Sequence, residues 1–328
     1  MKLGAIALDV ILALTLLAAP VPSSGQPPGR VPRIGFLGLT SASDLGDRLR
    51  AFRQRLRDLG YVEGTNLVIE FRWAEGHYDR LPALAAELVG LPVDLLVTHA
   101  TAGTWAAKRA TTTIPIVMAV SGDAVATGLV ASLARSGGNI TGTTFFSPEV
   151  NAKALELLKD AVPRIRRVAV LVNPDNPQRE PSLQAMARTA RSLKLELHPF
   201  EARGPREFES VFAAMARQRM DALVTHDDSV LIGNARGLAA LAAKSRLPST
   251  GFKTFAEAGG LMGYGVNFPA MYRRAAEFVD EILKGARPAD LPVEQAMKFE
   301  LVINLKTAQA LDLRIPQSVL LRADEVIR

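Results

Sequence analysis

One stretch of this chain is written almost twice. Asp94-Leu95-Leu96-Val97-Thr98-His99 returns as Asp221-Ala222-Leu223-Val224-Thr225-His226. Two further echoes keep a similar spacing. Arg33-Ile34-Gly35-Phe36-Leu37 resembles Arg167-Val168-Ala169-Val170-Leu171, and Ile114-Pro115-Ile116-Val117 aligns more weakly with Leu247-Pro248-Ser249-Thr250. Each is a short apolar run ending in polar or turn residues, the pattern of a buried parallel strand running into a loop. Such a repeat implies two similar α/β lobes with a cleft between them. Ligands of open parallel sheets sit beyond the carboxyl ends of the strands, so the cleft is the expected place for a small molecule.

The residues between the echoes fit this plan. Leu45, Leu49, Phe52, Leu56 and Leu59 form one apolar helical face over 44–59, and Gly60 stops that helix. Helices are likewise expected over 79–89, 101–110 and 128–134, with strands over 67–73, 94–98 and 114–120. The second half repeats the alternation, with strands at 167–172, 194–199, 221–225, 248–251 and 260–264. This alternation predicts right-handed crossovers and two doubly wound parallel sheets. The first lobe is expected over 31–143 and the second over 144–268, with crossings near Thr143 and Phe268. A crossover helix, a strand and a final helix fill 269–328, a tail that periodicity assigns to neither lobe.

A chain of 328 residues can hold two domains with separate cores, and 48% hydrophobic against 22% charged residues fits a globular protein. The start differs from the rest. Lys2, an apolar run from Leu3 to Ala19 and a Pro/Ser/Gly stretch read as a signal peptide over 1–25, interrupted by Asp9. The expected location is therefore periplasmic, as a soluble exported monomer. There is no cysteine, which excludes disulfides, thiolate catalysis and the cysteine-borne lipid anchor. The net charge of +6 is spread along the chain. Arg48, Arg50, Arg53, Arg55 and Arg57 lie on a helix whose other face is apolar, so most of them read as its solvated face. No helix-turn-helix precedes the first strand, so no nucleic acid is expected as a partner.

Candidate ligand-binding residues lie at the strand ends: Thr40, Ser41, Thr98, His99, Thr101 and Asp123 in the first half, and Asn173, His226, Asp227, Asp228 and Thr250 in the second. Thr101 is expected to cap the helix after it, where free backbone N–H groups favour a carboxylate. Ser, Thr, Asn and Asp are also ordinary cap and turn residues; their convergence at mirrored positions favours a site. His99 and His226 occupy equivalent strand ends and could face each other near Asp123, Asp227 and Asp228, a zinc-compatible set. No HExxH pair accompanies them, and no metal is assigned. Trp73, Trp105 and Tyr264 are aromatics near the cleft positions; Tyr264 is included as a candidate for stacking on a flat ligand. GxxxxGK[ST], GxSxG and a GxGxxG after the first strand are all missing, so no cofactor is implied and the chain is not read as an enzyme.

Several longer stretches carry a resemblance. They are Leu59-Gly60-Tyr61-Val62-Glu63-Gly64, Arg72-Trp73-Ala74-Glu75-Gly76, Gly137-Gly138-Asn139-Ile140-Thr141-Gly142, Glu257-Ala258-Gly259-Gly260-Leu261-Met262 and Lys298-Phe299-Glu300-Leu301-Val302-Ile303-Asn304. In these the chain resembles bacterial ABC-transporter substrate-binding proteins of the tryptophan/tyrosine-binding-like group, with the type I periplasmic binding protein fold. The resemblance implies an exported receptor that closes by a hinge motion on a small solute, an amino acid or related carboxylate, and delivers it to an ABC permease. The family's Gly/Ala-Thr-Pro-Ala segment is here Ala100-Thr101-Ala102-Gly103, and its Gly/Thr-Asp-Pro is Gly122-Asp123-Ala124. Both departures fall at the expected pocket and leave the solute open. An exported enzyme using Asp or His at the same loops, or a sensor partner of a membrane receptor, are the alternatives.

Overall fold

The repeated hexapeptide does one structural job in both halves. Asp94 Oδ2 accepts a hydrogen bond from the backbone N–H of Arg33 at 2.7 Å. Asp221 Oδ2 accepts from the backbone N–H groups of Arg166 and Arg167, each at 2.8 Å. Each aspartate ties the entry of its half's third strand to the entry of the first. The structure is a computed structural model that describes residues 30–328; the leader expected over 1–25 lies outside the described residues. Pro32–Arg328 forms one compact unit.

The first half contributes β1 (Arg33–Gly38), β2 (Val68–Trp73), β3 (Leu95–His99), β4 (Ile116–Ser121) and β5 (Ile140–Thr144). The second contributes β6 (Arg167–Val172), β7 (Glu196–Glu201), β8 (Ala222–Thr225), β9 (Ser249–Gly251) and β10 (Met262–Val266). The tail adds β11 (Val293–Gln295), β12 (Phe299–Asn304) and β13 (Glu325–Ile327). One sheet runs β11-β5-β4-β3-β1-β2, with every pairing parallel. The other runs β13-β12-β10-β9-β8-β6-β7 and is parallel except where β10 meets β12. Without the tail strands, both follow the same doubly wound order, which reverses direction between β1 and β3 in one lobe and between β6 and β8 in the other.

Each sheet is covered on both faces, as parallel sheets must be. Phe36 and Leu37 are neighbours in β1, yet they enter different cores: Phe36 packs with Leu49 and Phe52, and Leu37 with Leu88 and Leu96. Val170 and Leu171 divide the second lobe in the same way. Burying each such side chain contributes about 1.5–3 kcal/mol.

The tail serves both lobes. The helix Phe268–Leu283 packs Met271, Tyr272, Ala275 and Phe278 into the first lobe's core. Arg274 bridges Glu277 and Glu281 on that helix to Glu294 in β11. The chain then returns to the second sheet as β12. It therefore crosses between sheets after β5, after β10 and after β11. The third crossing escapes a sequence reading because β11 is only three residues long and offers no period to count. Phe145 and Phe268, at the first two crossings, pack against Phe252 of the second lobe, with the rings of Phe252 and Phe268 stacked at 5.0 Å.

The helix expected over 128–134 does not form. Gly128 takes φ +72°, and Lys108 Nζ donates to the carbonyls of Gly128 (2.7 Å) and Leu129 (3.0 Å). Those carbonyls are spent on a side chain, while Leu129 and Val130 tuck into the core.

Candidate functional site

Loops at the carboxyl ends of strands from both sheets meet around a small cavity that is partly open to solvent. On the first-lobe side, β3 ends at His99 and the chain turns at once into the helix Ala100–Ala110. The turn puts Ala100 at φ +68°, a left-handed conformation that costs a non-glycine residue on the order of 1 kcal/mol. The strained corner faces the cavity, together with Thr101 and Ala102. The first N–H groups of a helix have no partners within it, so this wall offers donors. Thr101 is not the cap that the sequence suggested; His99 holds that position and makes no side-chain cap bond. Thr101 Oγ1 instead accepts from the N–H of Gly122 at 3.0 Å and lies 3.2 Å from Ser121 Oγ, which clamps the ends of β3 and β4 together.

Two further side chains complete that wall. His99 Nδ1 lies 2.7 Å from the hydroxyl of Tyr272, and its Nε2 has no partner. Burial first, and the Arg48 charge second, push the His99 imidazolium well below the usual histidine range, so His99 is neutral. Arg48 is only 6% exposed and lays its guanidinium 4.3 Å over the Phe268 ring. No carboxylate pairs with it; Asp44 and Asp47 act on it only at longer range, and burial pulls its pKa down.

The second-lobe wall comes from the loops after β6 and β8. Asp228 caps the short helix Ser229–Gly233, with Oδ1 accepting from Val230 N (3.0 Å) and Leu231 N (3.1 Å). Its Oδ2 accepts from Asn176 Nδ2 at 3.0 Å and from the Tyr78 hydroxyl, which reaches over from the first lobe. Asp227 lines the cavity with its side chain 3% exposed. Burial raises its carboxyl above the ordinary range, opposed by His226 and by the Asn151 amide, which donates to Oδ1 at 2.8 Å. Gln178 is 3% exposed, and neither atom of its amide has a partner. Its side chain lies so close to Gly122 of the first lobe that a Cβ there would strike it.

Of the twelve residues singled out from sequence, His99, Thr101 and Asp227 line this cavity. Asn173 and Asp228 lie just behind it, Asn173 Nδ2 being 3.4 Å from Asp228 Oδ1. The others are placed elsewhere. Thr98 turns its hydroxyl to Thr104, 2.8 Å away in the core. Asp123 accepts from the N–H groups of Val125 and Ala126 and organises a turn. Thr40 and Ser41 border a separate, wider groove with Asp175 and Arg203, and Ser41 is bonded to Asp44. Thr250 is buried in β9, its carbonyl accepting from Thr225. Tyr264 stacks on Phe299 at 5.9 Å, away from the cleft. His226 sits with Nε2 3.1 Å from Asp227 Oδ1, a close contact rather than a formed hydrogen bond. His99 and His226 each attend to their own lobe. Among the described residues, no three His, Asp or Glu side chains gather to hold a metal ion. Trp73 packs on Phe71 and Phe36, and Trp105 under Lys108 and Arg109; the cavity's rings are Tyr78, Phe145 and Phe268.

Arg48, Tyr78 and Gln178 were missed. Arg48 had a signal: it stands three residues after Leu45 and four before Phe52, on the apolar face of its helix rather than the solvated one. Of its neighbours, Arg50 is solvated and pairs with Asp47, while Arg53 and Arg55 are half-buried in pairs with Glu63 and Glu277.

Residues 40–327 match the family described as ABC transporter substrate binding protein. The chain is 26% identical over 283 residues to the tyrosine-binding protein of Clostridioides difficile (strain R20291), covering 86% of this chain and 81% of that one. It overlays on the crystal structure of an ABC domain in complex with L-Trp from Streptococcus pneumonia with a TM-score of 0.83 and 26% identity, over 91% of this chain and 100% of that one. A conserved domain protein from Vibrio cholerae O1 biovar eltor overlays with a TM-score of 0.84 and 27% identity, over 90% and 100% of the two chains. The two doubly wound lobes are those of the type I periplasmic binding protein fold. With nearly all of its described length matched, the chain belongs to the ABC transporter substrate binding protein family.

Proposed function

We propose that this chain is the exported solute receptor of an ABC import system, and that its solute is an amino acid held between the lobes. The observation that carries this reading is the cavity itself. It lies where both sheets reverse direction and is walled by buried polar groups from each lobe. The relatives named for tyrosine and tryptophan support an amino acid as the solute. Thr101 and the open N–H groups beside it receive the carboxylate; Asp227 meets the ammonium group. Asp123 and Asp228, the other acids considered for that role, are occupied as turn and cap residues.

The lobes, divided as 31–143 and 144–268 with the tail shared, close as bodies about the three crossings. Tyr78 bonding Asp228, and Gln178 lying over Gly122, are contacts that exist only when the lobes meet. Solute contacts made in that state alone shift the equilibrium toward it. The receptor works as a periplasmic monomer after loss of its leader and hands the solute unchanged to a membrane permease.

The test is calorimetric titration of the purified protein with the twenty amino acids, alongside mass spectrometry of whatever co-purifies. At least one amino acid should bind and be recovered intact. Thr101→Ala should weaken it by about tenfold, the worth of one buried hydrogen bond. Turnover of the bound solute, or no binding by any amino acid, would overturn the reading.

A further inference from the structure

Three buried polar side chains on one cavity lack the partners that burial normally demands. Arg48 has a guanidinium without a carboxylate. His99 has a free Nε2, and Gln178 a free amide. Their distribution has a polarity. Arg48, His99 and the start of the helix Ala100–Ala110 belong to the first lobe and present positive charge and donors. Asp227 belongs to the second lobe and presents a carboxylate with its side chain 3% exposed. Among the described residues, no ion pair joins the two walls at the cavity.

We propose that Arg48 is the residue that selects for the solute's carboxylate, adding a charged partner to the donors beside Thr101 on the first lobe while Asp227 on the second holds the ammonium. This rests on the amino-acid reading above and adds its specificity determinant. The planar fork of an arginine suits a carboxylate in two-point contact, and the Phe268 ring beneath holds that fork flat. If the Tyr272 hydroxyl donates to His99 Nδ1, the remaining imidazole hydrogen sits on Nε2 and supplies one more donor to the same group. Gln178, with donor and acceptor both unused, seals the seam over Gly122. A solute carrying both charges bridges the walls and closes the lobes. A solute carrying one charge satisfies one wall and leaves the other buried and unpaired, so it does not favour closure.

The experiment uses the whole protein and three probes of one skeleton: L-tryptophan, indole-3-propionate (no ammonium) and tryptamine (no carboxylate), with the tyrosine series in parallel. Binding is read by calorimetry and compaction by small-angle X-ray scattering. The amino acid should bind and compact the protein, while each single-charge analogue should bind about a hundredfold more weakly or worse and leave the scattering unchanged. Arg48→Gln should lose the amino acid by a similar factor and bring tryptamine and tryptophan to within about threefold of each other; Arg48→Lys should recover part of the preference. The analogue series on the unaltered protein decides the matter even if an Arg48 variant misfolds. The proposal is overturned if wild-type protein binds an amino acid but either analogue matches its affinity, or if Arg48→Gln binds it unchanged. Failure of every amino acid to bind would instead overturn the underlying reading, and the proposal with it.

Discussion

Replacing Tyr78 by phenylalanine removes one hydroxyl and tests whether closure is held by contacts between the lobes. The hydroxyl donates to Asp228 Oδ2, from a short turn of the first lobe to a helix cap of the second. A hydrogen bond to a charged acceptor contributes about 1.5–3 kcal/mol. Asp228 would not be stranded by the loss, because Asn176 and the N–H groups of Val230 and Leu231 still donate to it at 3.0–3.1 Å. The cost therefore falls at the low end, about 1.5 kcal/mol, or about a tenfold shift of the closing equilibrium toward the open state. A solute captured by the closed state then binds about tenfold more weakly. Calorimetry should show that loss, and stopped-flow fluorescence should place it in the dissociation rate. The phenol's own titration should not matter, since burial and then the Asp228 charge push it well above its ordinary value. An affinity within twofold of wild type would refute the latch.

Asp227 predicts a pH dependence whose sign follows from its raised carboxyl. In the unfolded chain the group ionises around the ordinary value of 3.8. The folded protein keeps the proton to higher pH, so stability present in acid is lost as pH rises from that value through the folded one. An ammonium seated on Asp227 favours the ionised form, so binding should release protons in that window and weaken as pH falls through it. Calorimetry in two buffers of different ionisation heat measures the release, and Asp227→Asn should abolish it. Gly142 in β5 takes φ +123°, and a Cβ there would strike the backbone of Met118 in β4. Gly142→Ala should cost about 2–5 kcal/mol in urea unfolding; a loss below about 1 kcal/mol would show that the β4–β5 junction yields easily.

The fold was legible because its signals are local and repeated. Apolar runs of strand length, the aspartates that precede β3 and β8 and the leucine spacing of the first helix each lie within a few residues of one another. The candidate site was legible only as far as loops. Thr101, His99 and Asp227 could be found by asking which polar residues end a strand. Asp123 and Asp228 answered to the same description, yet their side chains turned back to cap local N–H groups, a choice decided by backbone angles that composition does not encode. Gln178 and Tyr78 act through contacts with the opposite lobe, and no short window of sequence contains both partners. Arg48 was hidden among arginines that are solvated, although its step from Leu45 and to Phe52 already placed it inward.

The two echoed positions differ in a way that bears on the proposed charge division. The two copies of the hexapeptide agree through their final histidine and part immediately afterwards. After His99 the chain turns at Ala100 straight into a helix, leaving uncapped N–H groups at the cavity. After His226 two aspartates intervene: Asp228 caps the next helix at the N–H groups of Val230 and Leu231, and Asp227, held by the Asn151 amide, lines the cavity. A single uncapped start makes an electropositive wall, while the same start with two acids before it makes an electronegative one. The divergence at this one corner is the basis of the proposal that the lobes divide a solute's two charges between them.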